Sequence, residues 1–203
     1  MQKINTADLL ATLEQQTNTL LDAAIQKWQI MPGEQFSFQP SPGQWSAKQC
    51  FAHLNSYGNY YLPAIEKAIK KARLNEKLPA HYFFPGWLGN YFTHVMQPGA
   101  NGIPVKKMKA FKKYIHPNNE NGYTVMADFI DQQEKILSLL EAARAVNLNS
   151  TRTGISIAPI ISLKLGDTLQ FIIAHNHRHI RQAERAAAAA IIIKPITNTY
   201  GQE

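Results

Sequence analysis

Residues 166–185 constrain this chain most, because they predict a long helix that carries histidines on one face. His175 and His179 lie four residues apart, so on a helix their Cβ atoms are roughly 5–6 Å from each other and both imidazoles can bind one metal ion. His177 is rotated by about 200° from His175 and faces nearly the opposite side. This helix therefore predicts two metal ligands, and a third ligand must come from another part of the chain.

The bounds of this helix are predicted by residues at its two ends. Asp167 can accept from backbone N–H groups of the first turn, and Gln170, three residues later, can complete a capping box. Pro195 cannot continue a helix and disfavours helical backbone at the residue before it. We therefore expect a helix of about 25 residues, roughly 40 Å long at 1.5 Å per residue.

The third ligand is predicted on a second helix that begins after Trp45. Ser46 is a competent N-cap and Gln49 can close a capping box with it. His53 lies one turn beyond Gln49, beside the apolar stripe of the helix, so its side chain is expected to face the interior. The helical pattern continues to about residue 73, and Pro63 within it predicts a kink, or a break into two helices, near residues 59–63.

The rest of the sequence predicts two more long helices and one long irregular segment. Apolar residues recur at helical spacing over residues 6–30 and 124–146. Residues 74–123 are rich in proline and glycine, with a short helix expected over 85–96, and a segment of this length often forms a lid or a substrate-contacting surface. Residues 155–161 form a short extended apolar run. Three histidines of the irregular segment are interpreted as surface or packing residues: His81, His94 and His116.

Composition limits the class of protein. A chain of 203 residues with 45% hydrophobic residues is large enough for a good core and is expected to form a single domain over residues 1–203. The N-terminus lacks the pattern of a secretory signal, so a cytoplasmic location is expected. The longest apolar run, residues 186–193, is too short to span a membrane. Cys50 is the single cysteine, which excludes an internal disulfide and every zinc motif built on several cysteines.

The positive charge is interpreted as a solvated surface feature. The formal net charge is +7, and five lysines fall in one short stretch, 106–113. Such a stretch could attract nucleic acid, but no recognition motif accompanies it. We therefore expect no nucleic-acid partner.

Three histidines leave at least one coordination position of a metal free for water or substrate. No protein nucleophile is evident, so the pattern favours activation of an external thiol or water by the metal. The alternatives are a non-catalytic bundle that binds a metal or small ligand, and a structural role in which the histidines only pack. Gln182 shares the face of His179, where it can hydrogen-bond a metal ligand or only satisfy polar groups at the end of the bundle. Arg178 can attract an anion or pair with an acidic neighbour.

Two motifs carry a resemblance to a known family. Trp45-Ser46-x-x-Gln49-x-x-x-His53-Leu54, preceded by a Pro-Gly turn, and His175-x-x-x-His179-x-x-Gln182 resemble the DinB/YfiT-like superfamily of metal-dependent enzymes. The resemblance spans most of the chain in order. It implies an all-α four-helix bundle, and this sequence departs from the family pattern by a long, partly irregular insertion over residues 74–123, between the second and third core helices.

The resemblance also implies a chemistry. His53, His175 and His179 correspond to the family histidines that bind one divalent ion, nickel or zinc, while Gln49 and Gln182 are candidates to hydrogen-bond these ligands. Characterised relatives include thiol-dependent transferases and isomerases and some hydrolase-like enzymes, so a low-molecular-weight thiol is an expected cosubstrate beside a small-molecule substrate. A homodimer is expected, and no DNA role is carried over. The catalytic residues stay undefined.

Overall fold

The chain is mostly helical, as predicted. The computed structural model describes residues 2–76, 78–97, 110–156 and 158–193. Its helices are α1 (Thr6–Ala23, continued by a π-helical turn, Ala24–Trp28), α2 (Gly33–Phe36), α3 (Ala47–Leu74), α4 (Trp87–Met96), a 3₁₀ turn (Lys112–Tyr114), α5 (Gly122–Ala143) and α6 (Leu165–Ile193). Two small antiparallel sheets accompany them, β1 (Ile4–Asn5) with β2 (Tyr82–Phe83) and β3 (Arg152–Ile155) with β4 (Ala158–Lys164).

Side-chain caps define the starts of three of the long helices. Asn5 caps α1 by accepting from the amides of the second and third residues after it. Ser46 and Gln49 form the predicted capping box at the start of α3. Asn121 caps α5 in the same way as Asn5 caps α1. These local bonds satisfy N–H groups that the first turn of a helix leaves without partners.

The predicted capping box of α6 is wrong. The helix already begins at Leu165, and the Asp167 carboxylate accepts from the Gly86 amide, with oxygen–nitrogen distances of 3.0 and 3.1 Å. Gln170 donates to the Gly166 carbonyl instead of closing a box. Because β4 runs directly into α6, Asp167 lies inside the first turn, where its buried carboxylate holds the start of α4. The predicted stop at Pro195 lies outside the described residues.

Of the two alternatives predicted at Pro63, the break into two helices is wrong, because α3 is one continuous helix through that position, while a kink there stays a prediction. Proline removes a single intrahelical N–H donor. Tyr61, Leu62 and Ile65 flank Pro63 and are all buried, so tertiary packing holds the helix together across the missing bond.

The buried residues show how the long helices run relative to one another. One apolar cluster combines the first half of α1, the second halves of α3 and α5, and the first half of α6. A second cluster combines the opposite halves of the same four helices. Helices α3 and α5 are therefore parallel to each other and antiparallel to α1 and α6.

This arrangement explains the length of the segment between α3 and α5. When two long helices that follow each other in the bundle are parallel, the chain must return from the end of the first helix to the level of its start before the second helix begins. For α3, with 28 residues, that distance is about 42 Å at 1.5 Å per residue. The chain covers it through β2, α4 and the 3₁₀ turn, and then along α3 itself. The lysines at 106, 107 and 109 lie outside the described residues.

Within the part of the chain that the structure describes, no helix is both long enough and apolar enough to cross a membrane.

Candidate metal centre

The structure brings His53, His175 and His179 together between α3 and α6, at the level where the two apolar clusters meet. One ring nitrogen from each histidine lies within 4.8 Å of the other two. The ring centroids are 4.5 Å apart for His53 and His179, 4.6 Å for His175 and His179, and 5.2 Å for His53 and His175. The group could hold a metal ion, because three nitrogens converge on one point.

Hydrogen bonds define which ring nitrogens of two of the histidines face the centre. The Nδ1–H of His53 donates to the Tyr114 carbonyl at 2.8 Å, since a carbonyl oxygen can only accept. The Nδ1–H of His179 donates to Gln182 Oε1 at 3.0 Å. In both rings Nε2 is then the unprotonated nitrogen, with its lone pair available to a metal ion.

The third ring, His175, has a different environment. It is 2% exposed, and its Nδ1 has no hydrogen-bond partner among the described residues. Its Nε2 lies 3.3 Å from Nε2 of His53. Two ring nitrogens at this distance need a proton or a cation between their lone pairs, so a metal ion shared by the two Nε2 atoms fits the donor set chemically.

The protein holds all three imidazoles in the neutral form. Burial lowers the pKa of His53 to about 4, although the hydrogen bond to the Tyr114 carbonyl opposes the shift. Burial also lowers the pKa of His175 and of His179 well below the usual value, and the neighbouring histidines and Arg178 add to the effect. Metal ligands must be deprotonated, so these rings are in a state suited to binding at neutral pH.

Aromatic side chains fix the orientations of the histidines. Trp45, just before α3, contacts the rings of His53 and His179. Tyr57, one turn after His53, contacts the rings of His53 and His175. These packed neighbours restrict rotation of the imidazoles.

A large cavity opens over the histidines. Its volume is about 1220 Å³, and all three histidines contribute to its lining. The remaining lining is mainly aromatic and aliphatic, and Gln182 is one of its few polar residues. Residues 74–123, predicted to contact substrate, supply part of the wall through Phe92, Met96 and Phe111.

Among the described residues, Gln49 makes no hydrogen bond to a histidine ring. Its Oε1 accepts from the Ser46 amide and from Gln39, and its Nε2 donates to the His116 carbonyl at 2.7 Å. Gln49 therefore links the start of α3 to the segment that follows the 3₁₀ turn. Gln182 contacts His179 directly, as described above.

Residues 114–120, here named the strap, run antiparallel along the first half of α3. Four polar residues of α3 and its cap bind the strap, and their numbers repeat at the spacing of one helix face: Ser46, Gln49, His53 and Ser56. The strap thus supplies the carbonyl that orients His53. The sequence contains this spacing, but the partner segment lies about 60 residues further along the chain and gives no local signal.

His116, interpreted from the sequence as a surface or packing residue, joins two other polar residues. Its Nδ1 donates to Glu120 Oε1 at 2.7 Å, and its Nε2 lies 2.6 Å from Ser56 Oγ. A serine, a histidine and a carboxylate in this order form a hydrolase triad in other proteins. Ser56 is within α3 and is not among the described residues that line the cavity, so the group fastens the strap to α3.

The fold and the site define a mostly helical protein with a buried histidine cluster that could hold a metal ion. The family model of the DinB superfamily matches residues 8–183. The chain belongs to the DinB superfamily. The comparison with curated proteins found no significant match, and neither did the comparison with solved structures.

Proposed function

We propose that this protein is a metal-dependent enzyme in which His53, His175 and His179 hold one divalent ion, nickel or zinc, at the floor of the cavity. The observation that carries the proposal is the convergence of three neutral imidazoles within 4.8 Å of one another, open to a space of about 1220 Å³. A divalent ion bound there would supply Lewis acidity that lowers the pKa of an external nucleophile.

The reaction we propose is a thiol-dependent transfer to a small-molecule substrate. Cys50 offers no competing protein nucleophile, because it is fully buried and burial raises the pKa of its thiol well above the usual range. A low-molecular-weight thiol is a nucleophile of suitable size for the cavity.

The residues of the chain have separate roles in this proposal. Tyr114 and Gln182 hold the imidazoles in the tautomer that presents Nε2. Tyr57 lines the cavity, and burial raises the pKa of its phenol, so its hydroxyl stays protonated and can donate to a substrate. The apolar wall excludes water from the reacting groups.

The test measures metal content and activity together. Protein purified without an affinity tag is analysed for metal, and conjugation of a thiol such as glutathione to a chromogenic electrophile is assayed with and without added nickel or zinc. We expect one ion per chain and metal-dependent conjugation, both lost in His53→Ala. His94→Ala is the matched control, because His94 is exposed on α4.

Three outcomes would change or contradict the proposal. Metal-dependent ester hydrolysis without any thiol requirement would indicate a hydrolase. Metal binding with no reaction of either kind would indicate a non-catalytic binding protein, and unchanged metal content and activity in His53→Ala would contradict the site.

The proposal extends to the whole molecule. The four long helices would form a four-helix bundle as one domain, with the segment between α3 and α5 as its insertion. We further propose a cytoplasmic homodimer without a nucleic-acid partner. Light scattering during size-exclusion chromatography measures the oligomeric state.

A further inference from the structure

The charged residues that line the cavity all carry positive charge. They are Lys112 from the 3₁₀ turn and Arg178 and Arg185 from α6, and no carboxylate is among the described lining residues. The neutral histidines contribute no negative charge, and a bound divalent ion would only add positive charge. The potential in the cavity therefore favours an anion whether or not a metal is present.

Arg178 is held in the wall of the cavity. It is only 8% exposed, and its Nη1 donates to the Val95 carbonyl at 3.0 Å, which ties the guanidinium to the end of α4. A guanidinium fixed in this way is oriented before a ligand arrives, so less side-chain entropy is lost on binding.

Arg185 lies two helical turns after Arg178 and also lines the cavity, but its side chain is exposed. Arg178 and Arg185 lie on the same face of α6, because seven residues are close to two full helical turns, and both line the same cavity. Two cations on one face of α6 attract the same anionic group. Arg185 is placed to meet a ligand at the cavity mouth, while Arg178 lies deeper.

The rest of the cavity lining is mainly apolar. Tyr61, Phe92 and Phe171 form an aromatic wall, and Phe171 is stacked on His175 with ring centroids 5.7 Å apart. An apolar ligand body gains free energy by leaving water for such a surface.

We infer that the cavity binds an organic anion: its carboxylate, sulfonate or phosphate group lies against Arg178 and Arg185, and its apolar body lies against the aromatic wall. This inference rests on the cavity of the proposed function and names the class of substrate that the cavity takes. The anionic group is held by the arginines and not by the metal site, so anion binding persists in metal-free protein.

The experiment compares two fluorescent probes of the same shape in chelator-treated protein. 8-Anilinonaphthalene-1-sulfonate carries a sulfonate, and N-phenyl-1-naphthylamine is its neutral counterpart. Hydrogen bonds to charged groups contribute enough for their loss to weaken binding at least about tenfold. We therefore expect Arg185→Met to weaken binding of the anionic probe about tenfold and to change binding of the neutral probe less than about twofold.

Arg181→Met is the matched control, because Arg181 is exposed on the same helix, pairs with Glu184 and is not among the lining residues. It should leave both affinities unchanged. Arg178→Met is expected to lose at least as much affinity as Arg185→Met; if it does not fold, Arg185→Met alone decides. Equal losses in Arg185→Met and Arg181→Met, or equal losses for the two probes, would overturn the inference.

The two proposals fail separately in this design. If the protein binds no nickel or zinc but discriminates between the probes through Arg185, the metal proposal fails and the anion site stands. If metal binds normally and the anionic probe requires that metal, the arginines are not the anion site.

Discussion

At the scale of single residues, the tautomers of the histidines are the feature on which the proposed metal binding depends. Neutral imidazole can offer either nitrogen, and the hydrogen bond made by one nitrogen selects the other as the ligand. The Tyr114 carbonyl makes this selection for His53, and Gln182 makes it for His179. A backbone carbonyl cannot be removed by substitution, so Gln182 is the residue through which the effect can be measured.

Gln182→Met is expected to lower metal affinity about 10–100-fold, because it removes the acceptor for His179 Nδ1–H while keeping an unbranched side chain of similar size. Isothermal titration with zinc measures the change. Gln170→Met is the control on the same helix, because the Gln170 side chain donates to the Gly166 carbonyl and makes no hydrogen bond to a histidine among the described residues. Equal affinity in Gln182→Met and the unmodified protein would show that the hydrogen bond has no part in binding.

At the scale of elements, the strap connects the long crossover to the candidate metal site. It lies against α3 through polar contacts at one-turn intervals. His116 of the strap also bonds Ser56 of α3 and Glu120 of the strap itself. Hydrogen bonds of part-buried polar groups contribute about 0.5–1.5 kcal/mol each, and more where a charge takes part. The strap is therefore stable as long as several of them are present together.

His116→Ala is expected to lower the free energy of unfolding by about 1–3 kcal/mol, because it removes the bonds to Ser56 and Glu120. Hydrogen exchange followed by mass spectrometry should show that the substitution increases the exchange rate of residues 114–120 more than that of α5, each compared with the unmodified protein. His94→Ala, at an exposed site, should change neither quantity. If exchange in the strap does not change in His116→Ala, the group does not fasten it.

The contact between α4 and the start of α6 is a second element-scale feature. A Cβ at Gly89 would lie 2.3 Å from Cβ and from Cγ of Asp167, which is far inside van der Waals contact. Asp167 would have to move, and its hydrogen bonds to the Gly86 amide would be lost. Glycine at this position is required by close approach of the two helices.

Gly89→Ala is expected to lower the free energy of unfolding by about 1–3 kcal/mol through this overpacking. Gly33→Ala is the matched control, because no atom lies within 4 Å of its added Cβ and its backbone is compatible with alanine; its effect should stay within about 1 kcal/mol. Urea unfolding measures both variants. A Gly89→Ala protein as stable as the Gly33→Ala protein would contradict the close packing.

At the scale of the whole molecule, the proposed metal binding would be coupled to folding. The three histidines come from α3 and α6, more than 100 residues apart in sequence, so the candidate site exists only in the folded chain. A ligand that binds only the folded state stabilises it by mass action.

We expect zinc or nickel at 100 times its dissociation constant to raise the free energy of unfolding by about 2.7 kcal/mol, which corresponds to roughly 5–10 °C in Tm for a chain of this size. Thermal scans with and without the metal measure the shift. A His53→Ala, His175→Ala, His179→Ala protein should show none. A shift of the same size in this triple variant would place the metal elsewhere.

The sequence by itself predicted what depends on local spacing. The four long helices follow from apolar periodicity, the capping box of α3 follows from Ser46 and Gln49, and the shared face of His175 and His179 follows from helix geometry. The place of His53 beside the apolar stripe of its helix predicted it as the third member of the group, and the family resemblance agreed. These features are encoded within one or two turns of helix, so they are visible without a fold.

Only the tertiary structure decided the features that join distant segments. Asp167 looked like a local cap and instead binds the Gly86 amide, while Pro63 left a kink or a break open and the helix is continuous through it. His116 had no local sign of its bond to Ser56, which lies 60 residues away. The physical reason is the same in each case: a side chain can satisfy its hydrogen bonds or bury its apolar surface with any neighbour that the fold supplies, and spacing along the chain does not specify that neighbour.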